Sequence, residues 1–123
     1  MSHSRGLAAA TAGLAAALVG TGDPAPVALA GGLPDGGVGT SAELVRTAVA
    51  EADGGAGVVV LCDMGSAVLT VKSLLGTGEL ADARLVDAPF VEGAVAAVVT
   101  ASAGGDLAAV LAAAEDARTY RKL

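Results

Sequence analysis

The residues best suited to chemistry include the only histidine of the chain, His3, which stands between two hydroxyl residues, Ser2 and Ser4. A helical pattern that begins near Arg5 predicts that His3 directly precedes a helix N-terminus, where free backbone N–H groups attract phosphate. A neutral imidazole presents one ring nitrogen as a nucleophile, so His3 is a candidate phosphoryl acceptor with Ser4 as a phosphate-binding neighbour. The alternative is a solvated histidine near the chain terminus.

A second polar cluster follows the most apolar segment of the chain, residues 58–62. A carboxylate bonded to one imidazole nitrogen fixes the tautomer and stabilises the cationic ring, so Asp63 is predicted to orient His3. Gly65 permits close backbone approach, and Ser66 offers N–H and hydroxyl donors to a phosphoryl group. The alternative is a simple helix cap, in which Asp63 and Ser66 only complete the first turn.

A glycine-rich segment, residues 31–39, leads into Thr40 and Ser41. Either Thr40 or Ser41 is predicted to cap the next helix, and both are predicted to offer donors to the same phosphoryl group from the other side. The segment lacks the lysine of a Walker-type loop, so no nucleotide site is predicted in it. The single cysteine, Cys62, lies in an apolar run and is interpreted as a buried thiol, and no metal-ligand spacing is present.

Composition narrows the class of protein. A chain of 123 residues fits one domain, residues 1–123, and a net charge of −6 with seven Lys plus Arg argues against nucleic-acid binding. The uncharged stretch 7–20 imitates a secretory signal peptide, but its leucines have helical spacing, and it is shorter than the roughly 20 residues that span a bilayer. We therefore expect a soluble, cytoplasmic protein with no membrane segment.

Alternating helical and strand-like patterns predict the elements that must position these residues. The predicted helices cover residues 5–19, 41–52 and 66–75, and two more follow residue 89, the last capped by Asp106. The predicted strands cover residues 58–62 and 84–87, and residues 27–30 form a short extended run. The fold class is α/β, an open, mainly parallel sheet with helices on both faces, and its ligands bind beyond the carboxyl ends of the strands.

Four short motifs occur in order: Ser2-His3-Ser4, Gly39-Thr40-Ser41, Asp63-Met64-Gly65-Ser66-Ala67 and Ala88-Pro89-Phe90-Val91-Glu92-Gly93-Ala94. Together they resemble the mannose-type IIA family of the sugar phosphotransferase system (PTS). Within that family they resemble the phosphotransfer subunits of the phosphoenolpyruvate-dependent dihydroxyacetone kinases. The Asp-Met-Gly-Ser-Ala form of the third motif favours the dihydroxyacetone branch, and mannose-type sugar uptake is the alternative.

The resemblance implies that His3 carries a phosphoryl group as phosphohistidine. The ultimate donor would be phosphoenolpyruvate, acting through the phosphocarrier protein HPr. The acceptor would be ADP held in the kinase subunit DhaL, which then supports dihydroxyacetone phosphorylation with DhaK, and this chain would bind no cofactor directly. A homodimer is also implied. A regulatory domain of the same fold, which only docks on a partner, is the alternative from another functional class.

One feature departs from the family pattern. The resemblance implies an apolar central strand leading into Ser2-His3-Ser4, but here Met1 stands directly before Ser2. Losing about five buried apolar residues would remove about 8 to 15 kcal/mol, comparable with the stability of a whole domain. We therefore expect the chain as written to be marginal or misfolded, and the natural start to lie upstream of Met1. If the short form is the natural one, we expect His3 to lie on a frayed terminus. A native mass equal to that of this chain would contradict the upstream start.

Overall fold

The computed structural model describes residues 1–123 as five α-helices around a small parallel sheet. The elements follow in this order: α1 (Arg5–Ala17), α2 (Ala42–Ala52), β1 (Val58–Val60), α3 (Gly65–Gly76), β2 (Ala83–Leu85), α4 (Phe90–Ser102), α5 (Leu107–Asp116) and a 3-10 turn (Ala117–Thr119). This order confirms the predicted α/β class. No helix combines the length and the apolar character needed to cross a membrane.

Three of the five helices begin where the sequence supplies a side-chain cap. Ser4, Ser41 and Asp106 each accept a hydrogen bond from the backbone N–H three residues further along, at the starts of α1, α2 and α5. Such a cap satisfies one of the backbone donors that have no partner in the first turn. The predicted helices are therefore confirmed to within about two residues, the uncertainty usual at helix ends.

The sheet is smaller than the predicted one. β1 and β2 pair in parallel, with Val58 opposite Ala83 and Val60 opposite Leu85. Each strand has three residues, so the predicted strands 58–62 and 84–87 are too long. Residues 27–30 lie outside the sheet, and only Gly31 forms an isolated bridge, to Ser2. The sheet is short because no continuous strand lies between β1 and residues 27–30.

Met1 and Ser2 link these two segments by parallel pairing on both sides. The Met1 ammonium donates to the Leu61 carbonyl at 2.6 Å, and the Asp63 N–H donates to the Met1 carbonyl at 3.2 Å. Ser2 pairs in the same way with the chain around Gly31, through hydrogen bonds of 2.9 and 3.0 Å. Four hydrogen bonds therefore hold the first two residues, and the expectation of a frayed terminus is wrong.

An apolar cavity of about 430 Å³ lies between β1 and residues 27–30, with Met1 in its wall. Small side chains from the surrounding helices line it, including Ala15, Val45 and Ala97. The cavity occupies the position where the central strand was expected. Close packing is the rule in protein interiors, so the apolar side chains around this space have fewer packing contacts than is usual in a core.

The remaining core consists of two clusters of small apolar side chains. The larger cluster joins α2, α3 and β1 and includes the fully buried Val45 and Val71. The smaller one includes Val86, Val110 and Ala114, where α4 and α5 pack together. Cys62 and Ala67, on either side of the loop after β1, are both buried in the larger cluster, which anchors that loop at its two ends.

Candidate functional site

The centre of the site is a pair formed by His3 and Asp63. His3 Nδ1 lies 2.9 Å from Asp63 Oδ1, and the two side chains are only 14% and 7% exposed. An ionised carboxylate can only accept a hydrogen bond, so Nδ1 must carry the proton in this pair. The neutral ring therefore has its free lone pair on Nε2, which is the nitrogen available as a nucleophile.

The Asp63 carboxylate is held by four hydrogen bonds. Oδ1 accepts from His3 Nδ1 and from the Met64 N–H at 2.8 Å, while Oδ2 accepts from the Ser2 hydroxyl at 2.9 Å and the His3 N–H at 3.0 Å. Burial by itself raises the pKa of Asp63, but hydrogen bonds from these three residues outweigh burial and lower it below its ordinary value. Asp63 therefore stays anionic and fixed in orientation beside the imidazole.

Ser2 is a site residue that the sequence pattern did not single out. Its side chain is fully buried, and its oxygen accepts the Ser4 N–H at 3.0 Å while its hydroxyl donates to Asp63. The sequence feature that could have indicated this role is the presence of a hydroxyl residue directly before His3. Ser4 itself caps α1 through the Leu7 N–H at 3.2 Å. The structure thus couples Ser2, rather than Ser4, to the carboxylate.

Ser66 and the start of α3 lie on the other side of the imidazole. The exposed Ser66 hydroxyl contacts His3 Nε2. The N–H groups of Gly65 and Ser66 have no acceptor within the protein, because α3 begins after Met64 without a side-chain cap. The first turn of α3 also contains no acidic residue. His3 Nε2 therefore faces free N–H donors and the positive end of a helix dipole.

Thr40 and Ser41 do not contact the imidazole. Ser41 caps α2, and the Thr40 hydroxyl lies 3.0 Å from the hydroxyl of Thr70, which in turn lies 2.9 Å from the Ser66 carbonyl. Thr70 has one hydroxyl hydrogen and donates it to the carbonyl, so Thr40 is the donor between the two threonines. Thr70, which the sequence pattern also missed, thereby ties the glycine-rich segment to α3.

The glycine-rich segment supports the backbone of His3. The Gly39 N–H donates to the His3 carbonyl at 3.0 Å. A Cβ on Gly31 would lie 2.7 Å from the Arg5 Cα, and Gly32, with φ of +69°, would place a Cβ 2.6 Å from the Gly37 carbonyl oxygen. Glycine is required at Gly31 because the segment packs directly against the start of α1, and at Gly32 because the segment folds back on itself there with a positive φ.

Cys62 is a buried thiol beside the site. Burial raises its pKa, the nearby Met1 ammonium opposes that shift, and the Asp63 carboxylate adds to it. Its protonated form is the stable one at neutral pH, which fits a packing role. No group of three or more His, Cys, Asp or Glu side chains is arranged to ligate a metal.

A histidine paired with a carboxylate at the carboxyl end of a parallel strand, inside an α/β fold, is the arrangement expected from the resemblance to mannose-type IIA domains. The chain belongs to this family, described as the PTS system fructose IIA component, which matches residues 1–111. The match includes all the site residues described above.

Within the family, the chain is similar to the phosphoryl donor subunit DhaM of phosphoenolpyruvate-dependent dihydroxyacetone kinases. It is 36% identical over 81 residues to the DhaM of kinase 2 from Listeria innocua, covering 63% of this chain and 65% of that one. It is 37% identical over 94 residues to DhaM from Escherichia coli and 38% over 102 residues to DhaM from Pantoea ananatis. These alignments cover 72% and 79% of this chain but only 20% and 22% of those relatives.

A solved structure supports the fold. The crystal structure of EF1359, a protein of unknown function, superimposes with a TM-score of 0.79 at 28% sequence identity. The alignment covers 93% of this chain and 88% of EF1359. The arrangement of helices around a parallel sheet is therefore shared with a solved protein over nearly the full length of both chains.

Proposed function

We propose that this chain is a cytoplasmic phosphohistidine carrier in which His3 Nε2 accepts a phosphoryl group from one protein and passes it to another. The main support for the proposal is the His3–Asp63 pair. The carboxylate keeps the imidazole proton on Nδ1, so that Nε2 is unprotonated and lies at the end of α3 with free N–H groups. The names of the DhaM relatives, phosphoryl donor subunits, support the same role.

In the accepting step, the lone pair of His3 Nε2 attacks the phosphorus of a phosphohistidine on the donor, which we propose to be HPr. The donor N–P bond breaks, its electron pair returns to the donor imidazole, and a new N–P bond forms on Nε2. The ring of His3 then carries a positive charge, which the adjacent Asp63 carboxylate stabilises. The Ser66 hydroxyl moves off Nε2, and the N–H groups of Gly65 and Ser66 are placed to bind the phosphoryl oxygens.

In the delivering step, a terminal phosphate oxygen of ADP, held in the kinase subunit DhaL, attacks the phosphorus on His3. The N–P bond breaks, ATP forms on the partner, and the neutral imidazole is restored with its proton still on Nδ1. The ATP then phosphorylates dihydroxyacetone bound in DhaK. Phosphoenolpyruvate is the ultimate donor in this scheme, and the carrier functions as a homodimer.

A second candidate is a sugar phosphotransferase IIA component, which the family description favours. The acceptor would then be a histidine or cysteine of a sugar-specific protein instead of ADP. The chemistry at His3 is identical in the two cases, because both acceptors receive the same phosphoryl group. The two candidate functions therefore differ only in the acceptor protein.

Intact mass spectrometry tests the proposal. The protein is incubated with phosphoenolpyruvate, enzyme I and HPr, and His3→Ala serves as the control. We expect one added phosphate that is stable in base, labile in acid and absent from the variant. Addition of DhaL with ADP, DhaK and dihydroxyacetone should then discharge the label. Discharge only by a sugar-specific acceptor would favour the second candidate, and labelling that survives His3→Ala would refute the carrier role.

A further inference from the structure

Ser66, His3 and Asp63 form a continuous row of hydrogen-bonded side chains. The Ser66 hydroxyl contacts His3 Nε2, and on the other side of the ring His3 Nδ1 lies 2.9 Å from Asp63 Oδ1. Because Nδ1 carries the ring proton, Nε2 can only accept, so the Ser66 hydroxyl is the donor in this contact. A hydroxyl, an imidazole base and an orienting carboxylate follow one another in the same order in serine hydrolases, whose triad is recognised by geometry and not by sequence position.

The carboxylate end of the row is shielded from solvent and fixed in place. The Asp63 side chain is only 7% exposed. Besides the imidazole, it accepts hydrogen bonds from the Ser2 hydroxyl and from the backbone N–H groups of His3 and Met64. Such a carboxylate holds the imidazole in one tautomer and stabilises the imidazolium that forms when the ring takes up a proton. Unphosphorylated His3 is therefore equipped to act as a general base toward the Ser66 hydroxyl.

The backbone around Ser66 supplies donors for a developing negative charge. Ser66 is the second residue of α3, and the N–H groups of Gly65 and Ser66 have no acceptor within the protein. In serine hydrolases, backbone N–H groups that include the one of the nucleophile itself stabilise the oxyanion of the tetrahedral intermediate. Both residues are exposed, so a small molecule can approach this end of the row from solvent.

We propose that Ser66 is an activated nucleophile and that the unphosphorylated domain hydrolyses small activated carboxylic esters. The exposed position of Ser66 gives a substrate little binding energy, so the substrate class consists of small esters with a good leaving group. This activity differs from phosphoryl transfer, because His3 acts in it as a base and not as the nucleophile.

The reaction has two steps. In the first step, Nε2 takes the Ser66 proton as Oγ attacks the carbonyl carbon, and the leaving group then departs with the bonding electron pair and the proton from Nε2. In the second step, water attacks the acyl-serine and gives a proton to Nε2; the carboxylic acid is released, and the proton returns to Ser66 Oγ. A phosphoryl group on Nε2 removes the base, so phosphorylation of His3 switches the serine off.

Diisopropyl fluorophosphate traps an activated serine, because Oγ forms a P–O bond as fluoride leaves and Nε2 takes the proton. We expect one adduct in the intact mass of wild type, located on Ser66 by peptide mass spectrometry, and none in Ser66→Ala. General base catalysis contributes about 10²- to 10⁴-fold, so His3→Ala should react at least about 100-fold more slowly. The matched control Ser73→Ala removes another exposed serine of α3 and should react like wild type.

Hydrolysis of p-nitrophenyl acetate measures turnover. The rate should fall at least about tenfold in Ser66→Ala; the fall is limited because His3, which this variant retains, is itself a nucleophile toward esters. Wild type phosphorylated beforehand with phosphoramidate, a small molecule that labels an accessible imidazole, gives a measurement without any substitution. It should form no fluorophosphate adduct, because the phosphoryl group occupies Nε2.

The serine nucleophile is overturned if wild type forms no adduct, or if His3→Ala or the phosphorylated protein reacts as fast as unmodified wild type. It is also overturned if Ser66→Ala hydrolyses the ester at the wild-type rate, since His3 would then be the nucleophile. A wild-type protein that resists phosphoramidate but forms the Ser66 adduct would contradict the carrier proposal and support the serine nucleophile, so failures of the two proposals are distinguishable.

Discussion

Replacing Asp63 by asparagine removes the negative charge beside His3 while keeping the size of the side chain. The wild-type carboxylate lies 2.9 Å from Nδ1 and is only 7% exposed, so water can do little to replace its interaction with the imidazole. A hydrogen bond to a charged group contributes about 1.5 to 3 kcal/mol, and each 1.36 kcal/mol in a barrier is about a tenfold change in rate. We therefore expect Asp63→Asn to slow phosphorylation of His3 by about 10- to 150-fold.

The rate is measured by intact mass spectrometry under single-turnover conditions, with both phosphorylated HPr and phosphoramidate as donors. The loss should be similar for the two donors, because the carboxylate acts on the ring and not on docking. Thermal unfolding of Asp63→Asn establishes that the variant is folded at the assay temperature. A folded variant whose labelling rate lies within about twofold of wild type would refute the role of Asp63 in stabilising the charged imidazole.

Three further predictions concern the support of the site. Ser2→Ala leaves the Ser4 N–H without a partner and removes one of the two hydrogen bonds to Asp63 Oδ2, so urea denaturation should show a loss of about 1 to 3 kcal/mol. No loss would mean that water replaces the hydroxyl. The pKa of folded Asp63 is depressed, so its contribution to stability is complete above the unfolded value of about 3.8 and is lost as pH falls through the lower folded value. Urea midpoints between about pH 5 and pH 2 should therefore fall more steeply in wild type than in Asp63→Asn, and equal slopes would contradict this assignment. Finally, a five-residue valine-alanine extension before Met1 should fill the apolar cavity and raise the free energy of unfolding by about 2 to 5 kcal/mol after the cost of ordering it. A serine-asparagine extension of equal length should not raise it, and equal effects of the two would show that the cavity does not accept a strand.

Much of the fold could be read from local sequence features. Ser41 and Asp106 cap their helices at the predicted positions, because a short polar side chain followed by a helical apolar stripe acts within one turn. Residues 58–60 form a strand for a similar local reason, since a run of β-branched residues suits a buried strand. The strand lengths were overestimated, because the extent of a strand depends on its neighbours in the sheet rather than on its own residues.

The pairing of His3 with Asp63 could also be anticipated, because both residues adjoin predicted elements whose ends meet at one edge of the sheet. The roles of Ser2 and Thr70 could not be anticipated from the sequence. Ser2 reaches Asp63 across 61 positions in the chain, and Thr70 reaches Thr40 across 30, so no local pattern marks either contact.

The sequence by itself determined which side chains are chemically competent: one histidine, one carboxylate after a buried strand, and hydroxyl residues at helix starts. The tertiary structure decided which of them meet, which nitrogen of His3 is left free, and that the Ser2 hydroxyl is the one that holds the carboxylate. The physical reason is that composition and periodicity act over a few residues, whereas hydrogen bonding and exposure at this site depend on segments about 60 residues apart, held together by parallel pairing.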